Sequence, residues 1–247
     1  MSSPEINVYV CRRPDKSVSI ERRHAEVMER MAQVGPPLGF SGLELPPAPD
    51  CGNELVAVYG VKLSVRGLKF LGYYTYRGEK YQYKDQTSFD DRLRYGFKSS
   101  NKFIDYRSVL HESLPRVIEA YDAYRAFVSY DYYDLHYSKG GNHGVDKHGY
   151  PISINETYKQ LLADKSIDVN GRNNIYTLRP AQYWDAELCN RALGYGPDEV
   201  VNRLQGHVLR VERLMDGVYT VLNDDFALTY EEFVAMNDRI KQILGLI

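Results

Sequence analysis

Short strand-like segments separated by glycines constrain the fold of this chain more than any other feature. Residues 54–84 are rich in Val, Leu and Tyr, which favour strands. Four glycines interrupt them: Gly60, Gly67, Gly72 and Gly78. The segment therefore predicts a β-meander, with Arg77-Gly78-Glu79 as its best hairpin turn. Strands that follow one another in sequence favour an antiparallel sheet over a doubly wound one.

Strand and helix patterns alternate before the meander. Glu5–Arg12 shows the period of two that predicts a half-buried strand. Ser17 and Ser19 can cap a helix that runs to about Gln33. Residues 35–53 then hold five of the eleven prolines, which indicates a surface connection rather than a paired strand.

The middle of the chain predicts a second helix and a second group of strands. The helix begins at Ser113, and its apolar stripe comprises Val117, Ile118, Tyr121, Tyr124 and Phe127. An aromatic strand is expected over Val128–Tyr137, a short helix near Glu156–Ala163, and another strand over Asn174–Leu178.

The last third carries the clearest local signals. Pro180 can open a helix that ends at Gly194, and Pro197 another that ends at Gly206. Asp216-Gly217 predicts a hairpin turn between two strands. Thr229 and Glu232 have the spacing of a capping box that starts the final helix.

These elements predict an α+β fold: a mainly antiparallel twisted sheet with helices packed on it. A length of 247 residues with 43% hydrophobic positions is enough for a sizeable core. We expect one domain over residues 1–247, with the Pro-rich connection 35–53 on its surface.

The charge distribution argues against general binding to nucleic acid. The formal net charge is −2, so no overall basic field exists. Residues 185–247 contain 11 Asp+Glu and 6 Lys+Arg, a net of −5, whereas residues 1–184 contain 22 and 25, a net of +3. The acidic end is a candidate surface for a basic partner, and we expect no direct contact with nucleic acid.

The cysteines and the first residues of the sequence indicate in which cellular compartment we expect the protein. Cys11, Cys51 and Cys189 are odd in number and far apart, which suits a reducing compartment. Neither a signal-peptide pattern nor an apolar run of membrane-spanning length is present. We expect a soluble cytoplasmic protein that does not contact a membrane.

Tyrosines and paired acids are the candidate binding residues. The chain has 22 tyrosines, and tyrosine suits interfaces because its ring packs while its hydroxyl hydrogen-bonds. Ordinary sheet packing accounts for many of them, and ordinary turn capping can account for the acids. The partner-binding candidates are Tyr74, Tyr76, Tyr81, Tyr83, Tyr132, Tyr133, Asp224 and Asp225.

Two other functional classes stay open. His136, His143 and His148 lie close in sequence among three aspartates, but their spacing matches no HExxH or facial-triad pattern. The alternative function is a metal-dependent hydrolase that uses the segment from His136 to His148. The basic and aromatic stretch from Arg66 to Lys102 could stack single-stranded nucleic acid. Because no nucleophile motif or phosphate loop is found, we expect no enzyme activity, no cofactor and no metal.

Two stretches of the last third resemble the bacterial immunity protein 52 family. The first runs from Asn173 through Trp184 to Cys189 and on to Val200, and the second from Asp216 to Asp225. The resemblance is strongest over residues 170–247, and its motifs are structural rather than catalytic.

What the resemblance implies is an immunity protein encoded beside a polymorphic toxin, including toxins delivered by type VI secretion. Such a protein binds and neutralises its cognate toxin, here expected to be a nuclease, by occluding the active site or substrate groove. The family motifs identify no binding residues, so the candidates above depend on composition and position alone.

Overall fold

Eight strands pair into one sheet within the part of the chain that the computed structural model describes, which is residues 5–50, 56–75, 90–130, 133–134, 136–137, 163–164, 167 and 171–247. The strands are β1 (Glu5–Arg12), β2 (Val56–Tyr59), β3 (Lys69–Thr75), β4 (Asp91–Lys98), β5 (Arg125–Tyr130), β6 (Ala181–Trp184), β7 (Arg210–Leu214) and β8 (Gly217–Val221). Their order is β2-β3-β4-β1-β5-β6-β8-β7. The pairs β2–β3, β3–β4, β6–β8 and β7–β8 are antiparallel, so the predicted α+β fold is confirmed.

The helices pack on this sheet. They are α1 (Ile20–Met31), α2 (Tyr106–Ser108), α3 (Leu114–Tyr121), α4 (Ala186–Leu193), α5 (Pro197–Leu204) and α6 (Tyr230–Leu244). A π-helical turn over Val109–Ser113 joins α2 to α3. No helix in the described ranges is both long enough and apolar enough to cross a membrane.

The chain divides into two compact units, which are described separately below. The N-terminal unit is residues 7–127, and the C-terminal unit is residues 1–6 with 128–247. The Pro-rich connection 35–53 falls inside the N-terminal unit and does not separate the two. The prediction of a single domain over residues 1–247 stays a prediction.

Helix α1 of the N-terminal unit follows its sequence signals. The Ser19 hydroxyl accepts a hydrogen bond from the Arg22 backbone N–H at 3.2 Å, which satisfies one of the free donors at the helix start. Val27, Met28 and Met31 on one face are buried. The predicted helix is therefore confirmed, with Ser19 rather than Ser17 as its cap.

The second predicted helix is shorter at its end and longer at its start than expected. Helical backbone begins at Tyr106, not at Ser113. Helix α3 ends at Tyr121 because Asp122 takes a left-handed conformation with φ of 54°. Tyr124 and Phe127 were wrongly assigned to the helical stripe, since Tyr124 lies in the connection and Phe127 on β5. The strand expected to reach Tyr137 ends at Tyr130.

In the C-terminal unit, the helix expected from Pro180 is wrong at its start. Ala181–Trp184 is strand β6, which pairs with β8 from Ala181↔Val221 to Trp184↔Val218. The helix α4 begins only after Asp185, whose carboxylate accepts a hydrogen bond from the Leu188 N–H at 2.7 Å. Pairing with a distant strand has overridden the local helix signal.

The strand predicted over Asn174–Leu178 is absent among the described residues. Leu178 instead bonds through its backbone to the side chain of Asn237 on α6. The Leu178 N–H donates to Asn237 Oδ1 at 2.7 Å, and Asn237 Nδ2 donates to the Leu178 carbonyl at 2.8 Å. A side chain therefore satisfies backbone groups that a ladder would otherwise use.

The remaining signals of the last third are confirmed. Helix α5 begins at Pro197, and β7 and β8 form the expected hairpin. Because Leu214 pairs with Gly217, the turn itself is Met215-Asp216, one residue earlier than predicted. Thr229 and Glu232 form the capping box of α6. The turn at residues 77–79 and most of the helix near 156–163 lie outside the described residues.

Candidate protein-binding surface

Aromatic rings of the C-terminal unit gather around the start of α6. Tyr133 stacks on Tyr130, with ring centroids 5.4 Å apart and planes 11° apart. The Tyr133 ring also contacts those of Tyr230 at 5.6 Å and Phe233 at 5.7 Å. Contacts of this kind add about 0.5–1.5 kcal/mol each beyond the area that they bury. The cluster packs beneath the segment that precedes α6.

Two hydroxyls of this cluster hold the segment 223–229, which we name the acidic loop. Tyr133 Oη donates to the Leu228 carbonyl at 2.7 Å, and Tyr130 Oη donates to the Asp225 carbonyl at 3.4 Å. Both acceptors are backbone groups, so these contacts position the loop whatever its side chains are. The loop is thus attached to the aromatic cluster at two points.

Hydrogen bonds within the acidic loop stiffen it further. The Asp225 N–H donates to Asn223 Oδ1 at 2.9 Å, and Asp225 Oδ1 accepts from the Ala227 N–H at 2.8 Å. At the end of the loop, the capping box ties Thr229 to Glu232. Turns of this type are short-range and self-contained. The acidic loop therefore has a defined backbone shape before any partner binds.

An exposed phenylalanine lies at the centre of the acidic loop. Phe226 keeps 47% of its surface exposed, directly after a half-exposed Asp224 and an exposed Asp225. Glu231 and Glu232 are also exposed at the start of α6. Burial raises the pKa of Tyr133, and the negative charges of Glu231 and Glu232 raise it further. An exposed aromatic ring that follows two acidic residues, with two more exposed acids in the next helical turn, fits a binding site for a basic protein surface.

Three of the eight predicted partner-binding residues meet at this place. Tyr133, Asp224 and Asp225 all lie in or under the acidic loop. Tyr133 serves as a support, because its hydroxyl is occupied by the Leu228 carbonyl. Tyr76, Tyr81, Tyr83 and Tyr132 lie outside the described residues.

Tyr74 is a core residue of the N-terminal unit, which corrects its assignment to a partner surface. Its side chain has no exposed area, and its ring stacks on Tyr59 with centroids 5.1 Å apart. Its hydroxyl donates to Tyr59 Oη at 3.3 Å and lies 3.3 Å from His24 Nδ1. Successive residues of a strand face opposite sides, so Tyr73, the neighbour of Tyr74, lies on the more exposed side.

The histidine segment offers no metal site in the described part of the chain. His136 is buried, and its ring packs edge-on against Tyr230 at 5.7 Å. Asp134 binds Arg179 at 2.9 Å and the Ser129 hydroxyl at 2.7 Å. Among the described residues, no group of three or more His, Cys, Asp or Glu could hold a metal ion. His143 and His148 lie outside these residues.

The described cysteines are poor candidates for nucleophiles. Cys11 and Cys189 are free thiols in the interior, and burial raises the pKa of each to about 12. A thiol that stays protonated near neutral pH reacts slowly. Cys51 lies outside the described residues.

Sequence reasoning missed Phe226. Its signal is an apolar residue that follows Asp224-Asp225 in a turn, between a strand and a capped helix. Such a residue cannot continue the strand pattern and is not yet part of the helix stripe. Its exposure depends on the conformation of the loop backbone, which the local sequence pattern does not specify.

Comparison with known proteins identifies no family for this chain. No family model matches the chain. A search of curated proteins also finds no match. A solved structure of Pseudomonas aeruginosa T6SS protein PA0821 aligns with 98% of this chain and 72% of its own, at 10% sequence identity and a TM-score of 0.49. A similarity at this level assigns no function, and the resemblance to immunity protein 52 stays a prediction.

Proposed function

We propose that this chain is an immunity protein that binds and neutralises a bacterial toxin in the cytoplasm, and that the toxin is a nuclease. The observation that carries the proposal is the acidic loop: a hydrogen-bonded turn that presents an exposed Phe226 next to Asp224 and Asp225, with Glu231 and Glu232 exposed in the first turn of the helix that follows. The resemblance of residues 170–247 to an immunity family supports the same function.

Inhibition by this surface would be steric and electrostatic. A nuclease needs a basic groove to hold the phosphates of its substrate. Asp224, Asp225, Glu231 and Glu232 offer a matching negative surface, which speeds the encounter of the two proteins. Phe226 then supplies the apolar anchor, for which a cost of about 2 kcal/mol or more on truncation is typical of a binding hot spot.

The shape of the loop supports tight binding. Ordering a flexible segment on binding costs free energy that lowers affinity. Here the hydrogen bonds to Tyr130 and Tyr133 and the turn at Asp225 hold the backbone in the free protein. More of the contact energy therefore remains as affinity.

The test first identifies the partner and then measures whether this protein inhibits the partner's activity. Tagged full-length protein is used to capture proteins from the native host, and a stoichiometric partner with a toxin domain is purified and assayed for nucleic-acid cleavage. We expect equimolar wild-type protein to stop cleavage. Phe226→Ala should weaken binding about 30-fold, which corresponds to the truncation cost above.

A matched control distinguishes specific binding through the acidic loop from nonspecific binding by any exposed phenylalanine. Phe103 lies in the N-terminal unit and is 54% exposed, close to the exposure of Phe226. Phe103→Ala should leave binding and inhibition unchanged. The proposal fails if the captured toxin stays active with the protein bound, or if the two phenylalanine variants behave alike.

A further inference from the structure

One side of the sheet in the N-terminal unit carries cations and aromatic rings, and we name it the arginine-tyrosine face. The register of β3 and β4 places Leu71 opposite Arg94 and Tyr73 opposite Arg92. The members of the face are Lys69, Leu71, Tyr73, Arg92, Arg94, Lys98, Tyr9 and Phe127. Residues that alternate with them, including Phe70, Tyr74, Leu93 and Tyr95, are buried.

The rings and guanidinium groups of this face lie against one another. Arg92 lies 4.5 Å from the centroid of the Tyr73 ring, and Arg94 lies 5.8 Å from that of Tyr9. The rings of Tyr9 and Phe127 are 5.0 Å apart. Tyr73, Tyr9 and Phe127 are half-buried and Leu71 is exposed, so flat aromatic and apolar surface is accessible between the cations.

The face has an excess of positive charge. Lys69, Arg92 and Lys98 have no carboxylate partner among the residues that the structure describes. Asp90, an acid next to β4, is already paired with Arg125 at 2.7 Å. Asp91 is on the buried side, where it accepts the Thr75 N–H at 2.9 Å. An anionic ligand would therefore meet three cations that form no ion pair with an acid of the described ranges.

We propose that the arginine-tyrosine face binds single-stranded nucleic acid. Unpaired bases stack on aromatic rings and guanidinium planes, while phosphates bind arginine and lysine. In a duplex the bases are already stacked on each other, so the rings of a sheet face cannot reach them. An acidic polypeptide would use the cations but not the rings. This activity is independent of the acidic loop and of the function proposed for it.

The face also explains how a chain with a net charge of −2 could bind nucleic acid. Phosphate contacts act over about one Debye length, roughly 8–10 Å at physiological salt. A local group of cations therefore decides binding even when distant carboxylates dominate the total. The expectation of no direct nucleic-acid contact was drawn from that total.

Fluorescence anisotropy with a fluorescein-labelled oligo(U) RNA and the full chain tests the proposal. If three phosphates are neutralised, the plot of log affinity against log salt should have a slope of about −2. Arg92→Gln with Lys98→Gln should reduce the magnitude of this slope by about 1.4. Tyr73→Leu should weaken binding roughly 5- to 100-fold with the slope unchanged, because it removes stacking and no charge.

Charge-matched and folding controls complete the design. Arg22→Gln with Arg116→Gln removes the same charge from exposed positions on α1 and α3 and should change nothing. Lys69→Gln with Lys98→Gln, both at exposed positions, serves if the arginine variant does not fold. The proposal is overturned if the folded wild-type protein does not bind oligo(U) at low salt, if it binds polyglutamate equally well, or if the two charge-removing pairs act alike.

Discussion

Tyr133 Oη and the carbonyl oxygen of Leu228 are 2.7 Å apart, although 95 residues separate them in the chain. This hydrogen bond connects the aromatic cluster of the C-terminal unit to the end of the acidic loop. Together with the bond from Tyr130 to Asp225, it sets where Phe226 is presented. The candidate binding surface therefore depends on residues that do not themselves contact a partner.

Removing the Tyr133 hydroxyl should loosen the acidic loop. We expect Tyr133→Phe to lower the free energy of unfolding by about 1 kcal/mol, the usual net value of one hydrogen bond. It should also speed amide exchange at residues 225–228. Tyr230→Phe is the matched control, because the structure gives the Tyr230 hydroxyl no hydrogen bond to a described residue. Hydrogen exchange that is equally fast in both variants would remove Tyr133 from its supporting role.

Asn237 should be among the polar residues most sensitive to mutation. It is fully buried and bonds to both backbone groups of Leu178 and to the Phe233 carbonyl. Asn237→Ala would leave buried backbone groups unsatisfied, so we expect a loss of about 2–3 kcal/mol in urea unfolding. Asn190→Ala, at an exposed position on α4, should cost less than about 0.5 kcal/mol. Similar losses in the two variants would contradict the role assigned to Asn237.

The ion pair between Asp90 and Arg125 should matter far more than one at the surface. Their side chains are 5% and 11% exposed, and Asp90 also accepts hydrogen bonds from the Tyr124 hydroxyl. Asp90→Asn would leave a buried guanidinium without its counter-charge, at a cost of about 3 kcal/mol or more. Asp198→Asn breaks the pair with Arg213 at a position 84% exposed and should change stability by less than about 1 kcal/mol. Thermal or urea unfolding of the two variants measures the difference.

Lys241 should make stability depend on pH above neutrality. Its ammonium lies 2.9 Å from Tyr137 Oη and 4.2 Å from the centroid of the Tyr176 ring. Burial lowers its pKa from 10.5 to about 8. Between these two values the unfolded chain binds more protons than the folded chain, so the free energy of unfolding rises with pH over that interval. Below about pH 8 Lys241 is charged in both states, and the full cost of burying that charge lowers the free energy of unfolding.

The corresponding measurement compares wild type with Lys241→Met by urea unfolding at pH 7 and pH 9.5. The stability of the wild type relative to the variant should increase with pH, by at most about 1.4 kcal/mol for each pH unit. The exposed Lys62→Met controls for the loss of one positive charge. A difference between wild type and Lys241→Met that does not change with pH would show that the charge of Lys241 is not buried as described.

Elements whose signals lie within a few residues were predicted closely. Strand β1, the cap of α1 at Ser19 and the capping box at Thr229 and Glu232 agree with the sequence patterns. The candidate site was predicted in part. Asp224 and Asp225 are at the surface as expected, whereas Phe226 was overlooked and Tyr74 proved to be in the core. Tyr73 and Tyr74 are adjacent and look alike in sequence. Only the side of β3 on which each one lies distinguishes them.

Short stretches of sequence are enough to predict the α+β class, the local turns and caps, and the acidic character of residues 185–247. These features depend on side-chain periodicity and on hydrogen bonds between near neighbours, both of which can be read along one segment. Long-range contacts make Ala181–Trp184 a strand, join Asn237 to Leu178, and attach Tyr133 to the acidic loop. Each of those outcomes depends on a partner more than thirty residues away, and a local pattern carries no information about which distant group will satisfy a backbone donor or acceptor.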